Sequence, residues 1–249
     1  MVDLVKKGSD TARNGFKNEH YVADKFENWL YDEDARHWLQ IMNYNLDEIE
    51  CVKADVIHGY KSDINLKIKI KLKQGLDTEN IQVKLVSNKS GFNQVDKRWL
   101  KNYHELWNFP ADVYMILQYF TGELPPYKDG TRDKRRMFFS EMTDSERQII
   151  LDWFKQNKTL ILSDIIRGRG QFSAEWVLVI QNVDNQSRWV LKNINQVLQH
   201  YSSADVAFSP KGSLNIGLVG MQRKGGDGGR DTAKMLQFKL DPVDLFDVE

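Results

Sequence analysis

Asp63, Gln82 and Lys84 carry the side chains of this chain best suited to chemistry: a carboxylate, then, after eighteen intervening residues, an amide and an ammonium two positions apart. A hard cation such as Mg²⁺ takes oxygen ligands in near-octahedral geometry, and an Asp carboxylate and a Gln carbonyl are both oxygen donors. A neighbouring Lys can orient a water and stabilise a developing oxyanion. Together the three suit hydrolysis of a phosphodiester. An ordinary exposed hairpin with a solvated polar face suits the spacing equally well, because short motifs often match by chance.

The elements that must position these groups are legible as periodicities. From Asp63 to Leu72, apolar Ile64, Leu66, Ile68, Ile70 and Leu72 alternate with Asn65, Lys67, Lys69 and Lys71, which predicts a half-buried strand. Gly75-Leu76-Asp77-Thr78 supplies turn residues, and alternation resumes over Ile81 to Val86, so a hairpin is expected. On its second strand Gln82 and Lys84 share one face, while Ile81, Val83 and Leu85 share the other. Asn14 to Leu30 predicts an amphipathic helix with Phe16, Ala23, Phe26 and Leu30 in one stripe, flanked by Val22 and Trp29. Glu19 falls in the middle of that stripe. A carboxylate there needs a partner or a metal. It either forms a core ion pair or faces the hairpin as a second acid beside Asp63.

Further along, Ser87 to Gln94 is a loop by composition, and Lys89, Phe92 and Gln94 in it are candidates to touch nucleic acid. A folded-back Phe92 plugging the core is the competing reading. Residues 95–120 predict a helical stretch whose Trp99, Tyr103, Trp107, Tyr114, Tyr119 and Phe120 belong to the core, with Lys97 and Arg98 free to reach phosphate. Arg132-Asp133-Lys134-Arg135-Arg136 is a basic run suited to backbone contact. Thr143-Asp-Ser-Glu146 opens a helix to Gln156. Arg167-Gly-Arg169-Gly lies between two expected apolar strands. Arg188 to Tyr201 predicts a helix with Val190, Leu191, Ile194, Val197, Leu198 and Tyr201 inward. Lys211 sits in a Ser-Pro-Lys-Gly turn. Gln222, Arg223, Lys224, Asp227 and Arg230 surround four glycines, either as a ligand loop or as a solvated turn. The order differs from a nucleotide-binding P-loop, so no nucleotide cofactor is expected, and no His pair has zinc-like spacing.

Composition bounds the class. The 249 residues are 41% hydrophobic and 11% aromatic, enough for a full core within one domain. A single Cys51 makes no internal disulfide, which points to a reducing cytoplasm. No signal-like or membrane-spanning segment is evident, so no membrane role is expected. The net charge of zero hides an uneven distribution. Residues 1–60 carry −5, residues 61–160 carry +5, residues 161–239 carry +4 and the last ten carry four acids. Basic middle stretches between acidic ends suit a nucleic-acid surface.

The stretches Gly15-Phe-Lys-Asn-Glu19, Ser62-Asp63 and Gln82-Val-Lys84 resemble the PD-(D/E)xK nucleases. More closely, the chain resembles the small GCGC-recognising type II restriction endonucleases of the HinP type. Supporting stretches include Tyr60 to Asn65, Asn80 to Lys89, Phe120 to Tyr127, Ile166 to Gly170 and Gln222 to Asp227. Ser62 replaces the name-giving Pro, and Gln82 replaces an acid, as in the similar GCGC enzymes. The resemblance implies a mixed α/β fold with a restriction-endonuclease-like central sheet flanked by helices. It further implies a single nuclease domain over 1–249, with a catalytic core of about 14–110 and a DNA-recognition part of about 120–240. The implied activity is Mg²⁺-dependent double-strand cleavage of DNA at a short palindrome, leaving 5′-phosphates. Mn²⁺ can substitute, and Ca²⁺ is non-productive. Asp63, Gln82 and Glu19 would be metal ligands and, with Lys84, the catalytic set. Phe92 and Gln94 would distort the central base step, and Arg223, Lys224, Asp227 and Arg230 would face guanine and cytosine edges. The expected partner is double-stranded DNA, bound by a monomer or weak homodimer in a bacterial cytoplasm. A methyltransferase acting on the same site would protect the host. A structure-specific repair nuclease and a non-catalytic DNA-binding protein are the alternatives.

Overall fold

Leu66, Ile68 and Ile70 are fully buried and the lysines between them are not, so the period-two pattern does set one face of a strand. The computed structural model describes residues 19–57, 66–226 and 230–248. The chain divides into two compact units, residues 1–90, 167–197 and 242–249 forming one and residues 91–166 and 198–241 the other. The expected split into a core followed by a recognition part runs along the chain; these units interleave along it. The fold is mixed α/β, with two five-stranded sheets among the described residues.

In the sheet of the first unit, β1 (Ile49–Val56), β2 (Leu66–Leu72) and β3 (Gly75–Val86) are antiparallel neighbours. β5 (Trp176–Val183) runs parallel to β3, and β6 (Gln186–Asn193) runs antiparallel to β5, which gives the order β1-β2-β3-β5-β6. Leu72 pairs with Gly75, so the turn is Lys73-Gln74 alone. The expected turn at Gly75 to Thr78 is instead the start of β3, because those residues find partners along Leu72 to Lys69. A second correction concerns residues 188–193. Expected as helix, they form β6, entered through Asp184 and Asn185 at φ 52° and 63°, the left-handed pair that a tight hairpin turn requires. The helix proper, α7, is Ile194–Tyr201.

One face of this sheet buries Ile81, Val83, Leu178, Ile180 and Leu191 in a cluster with two helices, α1 (residues 19–27) and α2 (Glu33–Ile41). Phe16 of the expected stripe lies outside the described residues, while Ala23 and Phe26 of that stripe and the flanking Val22 and Trp29 are in it. Leu30 is not, being 56% exposed, since the helix gives way to a turn at residue 28 and breaks the periodicity. Lys25 bonds Asp32 and Asp34 at 2.8 and 2.9 Å and ties α1 to the start of α2. The opposite face receives the C-terminal segment. There the Arg188 guanidinium lies 4.0 Å from the Phe246 ring, and Lys192 donates to the Val248 carbonyl.

The second unit is built on an antiparallel sheet. Its strands are β4 (Asn93–Arg98), β7 (Val206–Phe208), β8 (Leu214–Ile216), β9 (Val219–Arg223) and β10 (Leu236–Leu240), in the order β4-β10-β9-β8-β7. Asn93 and Gln94 are therefore strand, not loop. The aromatic stretch is β4 followed by two helices, α3 (Leu100–Trp107) and α4 (Ala111–Thr121), parted at Pro110. Tyr103, Trp107 and Phe120 are core as expected, the first two packing on Phe238 of β10. α5 (Asp144–Gln156) begins at a Thr143–Glu146 capping box. The segment leading into Arg167, expected as an apolar strand, is instead helical, forming α6 (Lys158–Leu162) and a π-helical turn, Ser163–Arg167. Among the described residues no helix is long and apolar enough to cross a membrane.

Candidate active site and nucleic-acid interface

Asn80, Gln82 and Lys84 occupy alternate positions of β3 and so project from the sheet face opposite to α1 and α2. Gln82 is 3% exposed and Lys84 half-buried. On β5 their partners are Val177 and Val179, both buried. An amide and an ammonium thus stand beside apolar neighbours, where each keeps more electrostatic weight than in water. The strand is clamped just before them. Asn80 Nδ2 donates to the Gln171 and Ser173 carbonyls at 3.1 and 3.2 Å, and Asn80 N donates to Glu175 Oε2 at 2.9 Å. Among the described residues its own buried side-chain oxygen has no hydrogen-bond partner. An unsatisfied buried acceptor is costly, and this one lies on the same strand face as the Gln82 carbonyl. Asn80 is absent from the candidates that sequence suggests; its place two residues before Gln82 in an alternating strand is the signal that could have found it.

Glu79 faces the other way. It accepts from Tyr44 Oη at 2.8 Å and Trp176 Nε1 at 3.0 Å, and burial, with Glu175 adding repulsion, pushes its carboxyl above the ordinary value. It is committed to packing. Asp63, the expected carboxylate, lies outside the described residues. Glu19 is half-buried on α1, whose apolar stripe packs with Ile81 and Val83 and not on the Gln82–Lys84 face. Among the described residues no group of three or more His, Cys, Asp or Glu side chains is placed to hold a metal. The described oxygens on this face are the side-chain carbonyls of Asn80 and Gln82, a type of donor that a hard cation such as Mg²⁺ takes.

The candidate DNA-contacting residues fall mostly in the second unit. Lys97 of β4 and Gln222 of β9 both pair with Gln237 of the intervening β10, forming a polar row across three strands. Gln237 is likewise absent from the candidates that sequence suggests, though the alternation Leu236-Gln237-Phe238-Lys239-Leu240 marks it as polar-face. Gln94 pairs with Lys239 on the same strand pair and is exposed. Phe92 is 65% exposed, which removes the core-plug reading. Arg98 is not available to phosphate as expected: it forks onto buried Asp96 at 2.7 to 3.1 Å. Arg223 is half-buried, its Nε donating to the Thr121 carbonyl at 2.7 Å, and burial lowers its guanidinium below the ordinary value. Lys224 is half-buried after β9, Arg230 is exposed at the start of a 3-10 helix, Lys211 is exposed in a turn, and Asp227 lies outside the described residues. In the first unit Lys89 is exposed, 3.5 Å from Asp184.

A family model for the R.HinP1I restriction endonuclease matches residues 42–246. The chain belongs to that family. It is a type II restriction endonuclease, a site-specific deoxyribonuclease. A comparison with curated proteins finds no match. Among solved structures, restriction endonuclease MspI in complex with its cognate DNA aligns with a TM-score of 0.60, covering 89% of this chain and 87% of that one at 14% identity. At such identity the likeness supports the fold. The span matched to the R.HinP1I restriction endonuclease family includes Asp63, Gln82, Lys84, Phe92, Lys97 and Gln222. Glu19 lies before it.

Proposed function

We propose that this restriction endonuclease cuts both strands of a short palindrome, GCGC, with Mg²⁺ as cofactor, as a PD-(D/E)xK-type nuclease in which Gln82 replaces the second acid. The observation that carries the site is the pairing of a buried amide and a half-buried ammonium on one face of β3, within the family-matched span. Asp63 stands three positions before Leu66, whose partner Ile81 adjoins Gln82. The Asp63 carboxylate and the Gln82 carbonyl would hold the cation, which when bound neutralises charge on the phosphate oxygens. Lys84 orients a water for in-line attack on phosphorus and stabilises the added negative charge. The P–O bond to the 3′ oxygen breaks, leaving a 3′-hydroxyl and a 5′-phosphate. Gln82 contributes dipole without charge, so Asp63 meets less repulsion than a second acid would impose.

Plasmid digestion with and without EDTA, followed by sequencing of fragment ends, tests cofactor and recognition site together. Lys84→Ala and Asp63→Ala should keep GCGC binding in Ca²⁺ and lose at least about 10²-fold in Mg²⁺-dependent turnover, the usual cost of removing one transition-state interaction. Undiminished cutting by either variant refutes the assignment. Glu19 stays in the proposal as a third acid only if Glu19→Gln raises the Mg²⁺ concentration needed for cleavage. A change in thermal stability alone assigns it to packing of α1.

A further inference from the structure

Four guanidiniums and one aromatic ring meet in the second unit, in the turn after α4. The Arg132 and Arg136 guanidinium carbons lie 3.7 and 4.0 Å from the Phe138 ring centroid. Two planar cations so close to one ring have room only on its opposite faces. Arg135, 70% exposed, forks onto Asp133 at 2.9 and 3.1 Å. Arg136 is only 16% exposed and reaches Asp133 no nearer than 3.7 Å, beyond hydrogen-bonding range. Its Nε is buried, with no hydrogen-bond partner among the described residues. Arg223 approaches from β9, fixed by the Thr121 carbonyl. Burial first, and then the charge of Arg223, bring the Arg136 guanidinium down to about 10, with Asp133 opposing.

Among the described residues the carboxylates nearby do not balance this charge. Asp133 is shared by Arg135 and Arg136, and Glu141 is occupied by the backbone N–H groups of Arg132 and Phe138 at 2.6 and 2.7 Å. The approach of the next turn is close and specific. Gly212 has φ +80°, and a Cβ there would stand 2.9 Å from Ser140 Oγ and 3.0 Å from Phe138 Cβ. Beside it, the Lys211 carbonyl accepts from Arg132 at 3.1 Å. Arg132, Asp133, Lys134, Arg135 and Phe138 line an open depression of about 600 Å³. Half-buried like charges held around one carboxylate call for an anion from outside.

We infer that this cluster is a phosphate-binding site that grips a backbone phosphodiester of the bound DNA, outside the polar row that faces the bases. The inference rests on the DNA-cleaving function proposed above. Guanidinium forks match a phosphate bidentately, and the Phe138 ring fixes their orientation before the anion arrives. A grip of this kind positions the duplex without reading its sequence.

The test uses the full chain and the exposed arginines, Arg132→Gln with Arg135→Gln, together with Phe138→Leu, which keeps every charge. At constant ionic strength, inorganic phosphate should raise the melting temperature of the unmodified chain and raise that of the double variant less. Binding of cognate and unrelated duplexes in Ca²⁺ should weaken by the same factor in the double variant. The slope of log K against log salt should become shallower by about 1 for each phosphate the variant no longer neutralises. Phe138→Leu should weaken binding with the slope unchanged. Phosphate stabilisation without any change in DNA affinity would make this a free-anion site and overturn the inference. So would a loss confined to the cognate sequence, or an unchanged slope in a double variant that melts normally. If the unmodified chain binds no duplex at all, the proposed nuclease function fails first; if it binds and cuts but the slope is unmoved, only this site fails.

Discussion

Asp96 shows what a single buried carboxylate does for the sheet of the second unit. It is 5% exposed on β4, takes the Arg98 fork and accepts from Tyr103 Oη at 2.6 Å. Burial disfavours the Arg98 charge, yet Asp96 more than compensates and holds that guanidinium above its ordinary value. Burial, with Asp96 beside it, likewise drives the Tyr103 hydroxyl well up. Asp96→Ala would strand a half-buried guanidinium, which costs about 3–5 kcal/mol in comparable sites. Tyr103→Phe removes one hydrogen bond and should cost about 1–2 kcal/mol. Urea unfolding of the two variants checks the order, and equal losses would show that Arg98 finds another partner. Lys97, next to this pair and opposite Gln237, depends on it for position. From sequence Lys97 and Arg98 look alike. Only the buried acid two residues before Arg98 marks that cation as structural.

Elements were legible wherever one period prevailed and obscure where two were satisfied together. Leu66 to Leu72 alternate strictly, and α5 opens on a capping sequence that the structure reproduces. In contrast, Val190, Leu191, Ile194, Val197, Leu198 and Tyr201 satisfy helical spacing throughout, although the first part pairs with β5 as a strand. Asp184-Asn185 was the local signal of a hairpin, and tertiary pairing decided the rest. The Gln82–Lys84 face was readable for the same reason as β2, whereas the unsatisfied Asn80 oxygen and the Gln237 row needed the sheet partners. The cap on α5 makes its own prediction. Glu146 Oε2 accepts from Thr143 N and Oγ1 at 2.8 Å and from Tyr127 Oη at 2.7 Å. Burial alone would raise the Glu146 carboxyl, but these donors lower it below its ordinary 4.5. A depressed carboxylate stabilises the fold above its unfolded pKa and loses that contribution as pH falls through the folded value. Thr143→Ala should therefore cost about 1 kcal/mol at neutral pH and less below about pH 4. Paired thermal melts at the two pH values measure this, and a loss independent of pH would place the whole effect in the Thr143 side chain.

At the scale of the molecule, neither net charge nor chain order explains how DNA is held. The first unit carries 18 basic and 20 acidic residues and the second 17 and 15, so neither forms a broad positive field. On the proposed contacts, attraction to the duplex would come from local groups such as the polar row and the arginine cluster, with the salt dependence of a few neutralised phosphates. Chain order matters for folding instead. The first unit draws β5 and β6 from residues 167–197 and its C-terminal cover from 242–249, far from the strands that bear Gln82 and Lys84. A fragment of residues 1–110 contains every proposed catalytic residue but lacks these pieces. In it β3 would be an edge strand, with Val83 stripped of Leu178 on the face that α1 and α2 pack and buried Gln82 stripped of Val177 on the other. Each large apolar side chain left uncovered forfeits about 1.5–3 kcal/mol, and several such losses exceed the roughly 5–15 kcal/mol by which a domain is stable. The fragment should show no cooperative urea transition and no Mg²⁺-dependent cutting. A sharp transition in it would mean that β1, β2 and β3 with α1 and α2 form a self-sufficient core, and that β5 is needed for the site alone.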